Sequence, residues 1–122
     1  MNVLLALAGG DESITALRRT IDRTLEAEDD LTVALLEKDA PKRTREEMHE
    51  QAKKLLEEAG IDADFHTLEG DPGSTLVAFA EDRGFDELVI GGGTESPMGK
   101  VRIGPIAEYV VLNARLTVTL VR

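Results

Sequence analysis

The chain contains no cysteine. Disulfides and thiolate metal sites are therefore excluded, while both reducing and oxidising compartments stay open. Histidine is nearly absent too: His49 and His66 stand alone, without the paired spacing that a metal site or a catalytic base would need. Ser13, Ser74 and Ser96 have no His and Asp partners nearby in the sequence, so no nucleophile is expected and the chain reads as non-catalytic. Long hydrophobic runs are missing as well. The apolar stretch from Met1 to Ala8 is too short to span a membrane, has no basic flank, and runs directly into Gly9-Gly10; it reads as a core strand of a cytoplasmic protein. Repeats, low-complexity segments and linkers are absent, so residues 1–122 are expected to form one domain, of a size that buries about 65–70% of its unfolded surface. Positive charge is scarce, with 14 Lys and Arg against 24 Asp and Glu and a formal charge of −10. Such a surface repels nucleic acid and anionic membranes at long range, although screening over about 8–10 Å lets a local basic spot persist. Neither is expected as a partner. The same acidity suits a high-salt cytoplasm, in which case it carries no functional information.

What is present is an alternation of strands and helices. Val3 to Ala8 is a continuous apolar run, expected of a central parallel strand covered on both faces, and it ends in the turn Gly9 to Ser13. A helix follows, with Ile14, Leu17, Ile21 and Leu25 as its apolar face. Leu31 to Leu36 reads as a second buried strand. Pro41 is predicted to open a long charged helix to about Ala59, with Met48, Ala52, Leu55 and Leu56 as a thin stripe and Gly60 as its stop. Ile61 to Leu68 alternates as a half-exposed strand near a sheet edge. Asp71 caps the third helix and Pro72 takes its first position, with Leu76, Val77, Phe79 and Ala80 facing the core and Gly84 ending it. Phe85 to Ile90 is the fourth strand. A fourth helix carries Ile106, Val110, Val111 and Ala114, and Leu116 to Val121 is a last, edge strand. The alternation predicts an α/β fold: a single doubly wound domain with a five-stranded, mostly parallel sheet in the order 3-2-1-4-5 and helices on both faces. Ligands bind such sheets beyond the carboxyl ends of the strands where the order reverses, here between the Gly9-Gly10 turn and the loop that begins at Gly91.

That loop, Gly91 to Pro105, joins the buried strand to the fourth helix. It gathers backbone N–H groups and a helix N-terminus at one point, an arrangement that holds phosphate. Lys100 and Arg102 face only Glu95 within it, so anions would be attracted there. The plainer reading is that its glycines, like Gly9-Gly10, simply make turns, that its cations are ordinary surface residues, and that Leu35 and Leu36 are core.

The chain resembles the universal stress protein family over nearly its whole length. The likeness lies in the opening strand, the turn Gly70-Asp71-Pro72, the strand Asp86-Glu87-Leu88-Val89-Ile90-Gly91, the helix from Glu108 to Arg115 and the final strand to Arg122. The resemblance implies a homodimer contact through Leu116 to Val121 and ATP as the cofactor. ATP-binding members carry Gly, two residues, Gly, nine residues, Gly, then Ser or Thr. Aligned on Gly91, this chain has Thr94 for the second glycine, Gly104 for the third, and Pro105 in place of the hydroxyl residue, followed by Ile106. Ala8, beside Gly9, stands where the family has an Asp that helps organise nucleotide and metal, and Leu36 falls in the region resembling the adenine-contacting backbone. The nucleotide or anion site implied is Ala8, Gly9, Leu36, Gly91, Thr94, Lys100, Gly104, Pro105 and Ile106. Its spacing is kept and its chemistry altered, because Pro105 has neither a hydroxyl nor an N–H. The expectation is a stress-response protein with a regulatory or interaction role and weakened or lost ATP binding. One alternative is an ATP-binding regulator with at most slow hydrolysis or autophosphorylation, in which Lys100, Arg102, Thr94 and Ser96 compensate. Another is an interaction module whose long charged helix meets a partner protein.

Overall fold

The computed structural model describes residues 1–37, 41–92, 94–95, 98–99 and 101–122. Five strands form the main sheet: β1 (Asn2–Leu7), β2 (Asp30–Leu35), β3 (Ala63–Thr67), β4 (Glu87–Gly91) and β7 (Thr117–Val121). Their spatial order is β3-β2-β1-β4-β7, the expected 3-2-1-4-5 with β7 as the fifth strand. Every pairing in it is parallel. One small antiparallel pair was not foreseen: β5 (Thr94–Glu95) and β6 (Val101–Arg102) pair within the glycine-rich loop.

The period-two geometry of strands explains why β1 is apolar throughout. Val3, Leu5 and Leu7 project into one core with Leu17 of α1 (Asp11–Ala27) and Met48, Ala52 and Leu56 of α2 (Arg45–Glu58). Leu4 and Ala6 project into a second core with Leu76 of α3 (Pro72–Asp82) and Val110 of α4 (Pro105–Asn113). Helices thus cover both faces.

Several local expectations hold and several shift. Asp71 accepts from Ser74 N at 3.0 Å and Pro72 opens α3; Pro105 likewise opens α4. Gly60 and Gly84 follow α2 and α3 with φ of 73° and 67°, the left-handed region that glycine enters without steric cost. α2, however, begins at Arg45 rather than Pro41. Thr44 and Glu47 form a reciprocal capping box, with Glu47 N to Thr44 Oγ1 at 3.1 Å and Thr44 N to Glu47 Oε1 at 3.0 Å, and this fixes the start four residues later. α1 starts earlier than expected, at Asp11 directly after Gly10, with Asp11 and Glu12 in its first turn where negative charge is favourable. Leu25 and Val111, expected in the core, are exposed; Thr20 and Thr24 take the buried positions on α1. His49 and His66 pack against Phe65 and Phe79, with ring centroids 4.6 and 5.1 Å apart.

At the amino end of the sheet, Glu87 of β4 is buried and accepts from the Arg23 guanidinium and from Thr119 Oγ1 at 3.1 Å. This ties the edge strand β7 to α1, since a buried carboxylate needs such partners.

Candidate functional site

β1 and β4 are adjacent, and the chain departs from them toward opposite edges of the sheet. Their carboxyl ends therefore open into a crevice, as doubly wound topology requires. A cleft of about 1010 Å³ occupies it. Its floor is Ala8, Ile90, Gly91 and Gly92 at the strand ends. The amino ends of three helices reach its walls: Glu12 and Ser13 of α1, Asp71 to Gly73 at the start of α3, and Gly104 to Ala107 at the start of α4.

The floor is held by a small set of close approaches. Ser13, buried, accepts from Ala8 N through Oγ at 2.9 Å, so its hydroxyl is a structural tie between β1 and α1. A Cβ on Gly91 would lie 2.2 Å from the Glu12 carbonyl oxygen, and one on Gly92 would lie 2.6 and 2.8 Å from Leu120 and Ala107 side-chain atoms. These two glycines let α1 and α4 approach the end of β4. Gly9 has φ of 92°, and its O accepts from Arg43 N at 3.1 Å, which joins the first turn to the segment before α2.

The three helix ends differ in charge. α1 carries Asp11 and Glu12 in its first turn, and α3 is capped by Asp71, whose carboxyl is held below the usual carboxylate range by hydrogen bonds from the Ser74 backbone and hydroxyl. At α4 the N-cap is Gly104, with no side-chain cap. The N–H groups of Ile106 and Ala107 belong to the first turn, which has no intrahelical partners, and Pro105 contributes none. α1 likewise has no side-chain cap, its N-cap being Gly10, and α4 carries Glu108 in its first turn, so α3 alone of the three is capped by a side chain. Arg102, exposed on β6, lines the same cleft. The other charged side chains in the lining, among the described residues, are Glu12, Glu37 and Asp71. Among the described residues there is no group of three His, Cys, Asp or Glu able to hold a metal ion.

Of the residues expected from the sequence, Ala8, Gly91, Gly104, Pro105 and Ile106 line this cleft. Gly9 and Leu36 do not. They line a neighbouring cavity of about 210 Å³ with Arg43, Thr44 and Met48; Ala8 and Glu37 border both. Leu36 is 2% exposed and its N–H bonds to Leu7 O at 2.9 Å. Thr94 is described in its backbone alone, paired in β5 with Arg102, and Lys100 and Ser96 lie outside the described residues. Sequence reasoning missed Glu37, Ile103, Gly73 and Tyr109 as lining residues. It saw Asp71 as a helix cap, and the turn Gly70-Asp71-Pro72 was the available signal that α3 begins at the cleft.

Comparison with known proteins gives concordant results. A family model described as the universal stress protein family matches residues 1–122. A universal stress protein of Methanocaldococcus jannaschii is 32% identical over 77 residues, 63% of this chain and 45% of that protein; the match spans less than half of the relative's length. Among solved structures, a universal stress protein from Archaeoglobus fulgidus superposes with a TM-score of 0.78 at 21% identity, covering 100% of this chain and 98% of that one. A universal stress protein in complex with cAMP gives 0.76 at 21% identity, covering 100% and 96%. One from Archaeoglobus fulgidus in complex with dAMP gives 0.73 at 21%, covering 100% and 98%. At these identities the likeness establishes the fold.

Proposed function

The chain belongs to the universal stress protein family, and we propose that within it the protein is a cytoplasmic stress-response regulator whose cleft binds a nucleotide while its hold on ATP is weakened. The observation that carries this reading is Gly104. Its φ of −67° is ordinary, and a Cβ there would meet none of the described residues within 4 Å. Neither packing against the described residues nor backbone strain calls for glycine at this N-cap, whereas close approach of a ligand to the backbone does. Arg102 and the uncapped end of α4 supply the attraction for a phosphate. The nucleotides in the cAMP and dAMP complexes of fold neighbours support the same ligand class.

The weakening follows from Pro105 and Ala8. Pro105, in the cleft wall at the first position of α4, offers no hydroxyl and no N–H. Each charge-assisted bond lost to a phosphate is worth about 1.5–3 kcal/mol, roughly ten- to a hundredfold in affinity. Ala8 at the floor has no carboxylate with which to organise a metal-bound triphosphate. Isothermal titration of the full chain with Mg-ATP tests the reading: weak binding is expected for the native chain and at least roughly tenfold tighter binding for Pro105→Ser. Tight binding by the native chain, unchanged in Pro105→Ser, would refute it in favour of an active ATP-dependent regulator using Arg102. We also propose a homodimer through β7, whose outer edge is unpaired in the sheet and needs cover.

A further inference from the structure

Resting on the nucleotide reading, we infer that Tyr109 is the platform on which the nucleotide base stacks, against the wall that α3 and α4 make together. The three phenylalanines are engaged elsewhere: Phe65 packs on His49, and Phe79 on His66 and Phe85. Tyr109 is the aromatic residue that lines the cleft, and it is 39% exposed. Its side chain is held from behind. A Cβ on Gly73, in the first turn of α3, would lie 2.9 Å from Tyr109 Cδ1, 3.0 Å from Cγ and 3.1 Å from Cβ. Gly73 is outside the left-handed region, so contact and not conformation requires glycine there. The root of the tyrosine thus rests on the α3 backbone, which fixes the ring while leaving part of it open to the cleft.

The rest of the wall suits a flat, apolar-faced group. Tyr109 follows Pro105 and Ile106 by four and three residues, so the three share one face of α4, and all of them line the cleft. The Tyr109 side chain leans toward the start of its helix, as helical Cα–Cβ bonds do. Five residues of rise separate it from Gly104 by about 7.5 Å along the axis. A mononucleotide spans a comparable distance between phosphate and base, so one ligand reaches both residues. Leu36, which falls where the family resemblance puts the adenine contact, offers less: its N–H is bonded to Leu7 O at 2.9 Å and the residue is 2% exposed. Stacking on a tyrosine needs no such backbone group, because it acts through the faces of the two rings.

Tyr109 is the only tyrosine and the chain has no tryptophan, so its fluorescence reports this one ring. Corrected for absorbance by the base, that fluorescence should be quenched by AMP and left unchanged by ribose 5-phosphate, which lacks the base and should bind more weakly. By calorimetry on the full chain, Tyr109→Ala should weaken AMP about five- to a hundredfold and remove its advantage over ribose 5-phosphate, while Tyr109→Phe should bind AMP as the native chain does. Gly73→Ala keeps the tyrosine but displaces its root, and should weaken AMP in a chain whose helix content by circular dichroism is unchanged. AMP that binds without altering tyrosine fluorescence, or that binds Tyr109→Ala as tightly as the native chain, would place the base elsewhere in the cleft, the Leu36 side included. Equal weakening of AMP and ribose 5-phosphate in Tyr109→Ala would leave Tyr109 a packing residue only. Each of these results overturns the inference and leaves the nucleotide reading standing. Failure of both AMP and ATP to bind the native chain would overturn the nucleotide reading itself, and this inference with it.

Discussion

Gly91 is a motif glycine whose role can be separated from phosphate binding by its effect on the unliganded protein. In Gly91→Ala the new methyl would lie 2.2 Å from the Glu12 carbonyl oxygen and 2.6 Å from its carbon. These are backbone atoms in the first turn of α1, so no side-chain rotation relieves the contact. Relief requires α1 to move away from β4. That motion pulls on the bond between Ser13 Oγ and Ala8 N, now 2.9 Å, and on the packing of Leu17 against the sheet core. Overpacking of this kind costs about 1–3 kcal/mol, and an amide left unsatisfied adds about 1–3 kcal/mol more. For a domain of this size, the first term alone lowers Tm by roughly 4–12 °C. Urea unfolding without nucleotide is the assay, with Gly104→Ala as the comparison, because a Cβ at Gly104 meets none of the described residues and the expected cost is the weaker N-cap, about 1 kcal/mol or less. If Gly91→Ala unfolds at the same urea concentration as the native chain, the close approach of α1 is not what requires glycine there.

Two further outcomes follow from the edge strand and from the helix caps. Gly92 N bonds to Val121 O at 2.9 Å, so by alternation the backbone polar groups of Thr117, Thr119 and Val121 face β4 while those of Val118 and Leu120 face the open edge. Light scattering should therefore show Val118→Pro as a folded monomer if β7 pairs two subunits, and a mass unchanged from the native dimer would place the interface elsewhere; Thr119→Pro should unfold, since it breaks the inner ladder. The carboxyls of Asp11, Glu47 and Asp71 are all held below their usual range, by Lys42 and Arg43, by Thr44, and by Ser74 respectively. Groups with depressed folded values stabilise above their unfolded value of about 4 and lose that contribution as pH falls through the lower folded value. Thermal melts from pH 6 to 3 should decline below about pH 4.5, and less steeply in Asp71→Asn; an equal decline would remove Asp71 from the account.

The fold was legible where burial acts on every residue of an element. β1 and β2 are covered on both faces, so their sequences are apolar without alternation, and the order of elements then determines a small set of topologies. Helix positions were harder to read. The start of α2 was assigned to Pro41 because proline favours a first helical turn, yet Thr44 and Glu47 already carried the capping-box spacing, and the reciprocal bonds of that box define the end. Leu25 and Val111 each follow a buried residue, Thr24 and Val110, but lie about 100° further round the helix on the outer face, and each is exposed. In the site, the strand-end and α4 residues were readable because they follow one another in the chain. Glu37, Asp71 and Tyr109 were not, since the parallel topology alone brings the ends of β2, α3 and α4 to one cleft.

The glycines of the loop, alike in sequence, answer to different physical demands. Gly91 and Gly92 are required by the protein's own atoms: the Glu12 backbone on one side, Leu120 and Ala107 on the other. A Cβ at Gly104 would meet none of the described residues, and the backbone there is unstrained. A serine there would cap α4 at least as well. Two helices that begin at the cleft, α1 and α4, have glycine N-caps without a capping side chain, while α3, beginning at the same cleft, is capped by a carboxylate. An empty site gains nothing from this asymmetry, because leaving the α4 amides uncapped costs stability. A ligand that approaches the backbone at Gly104 would use the amides of α4 that no side chain caps.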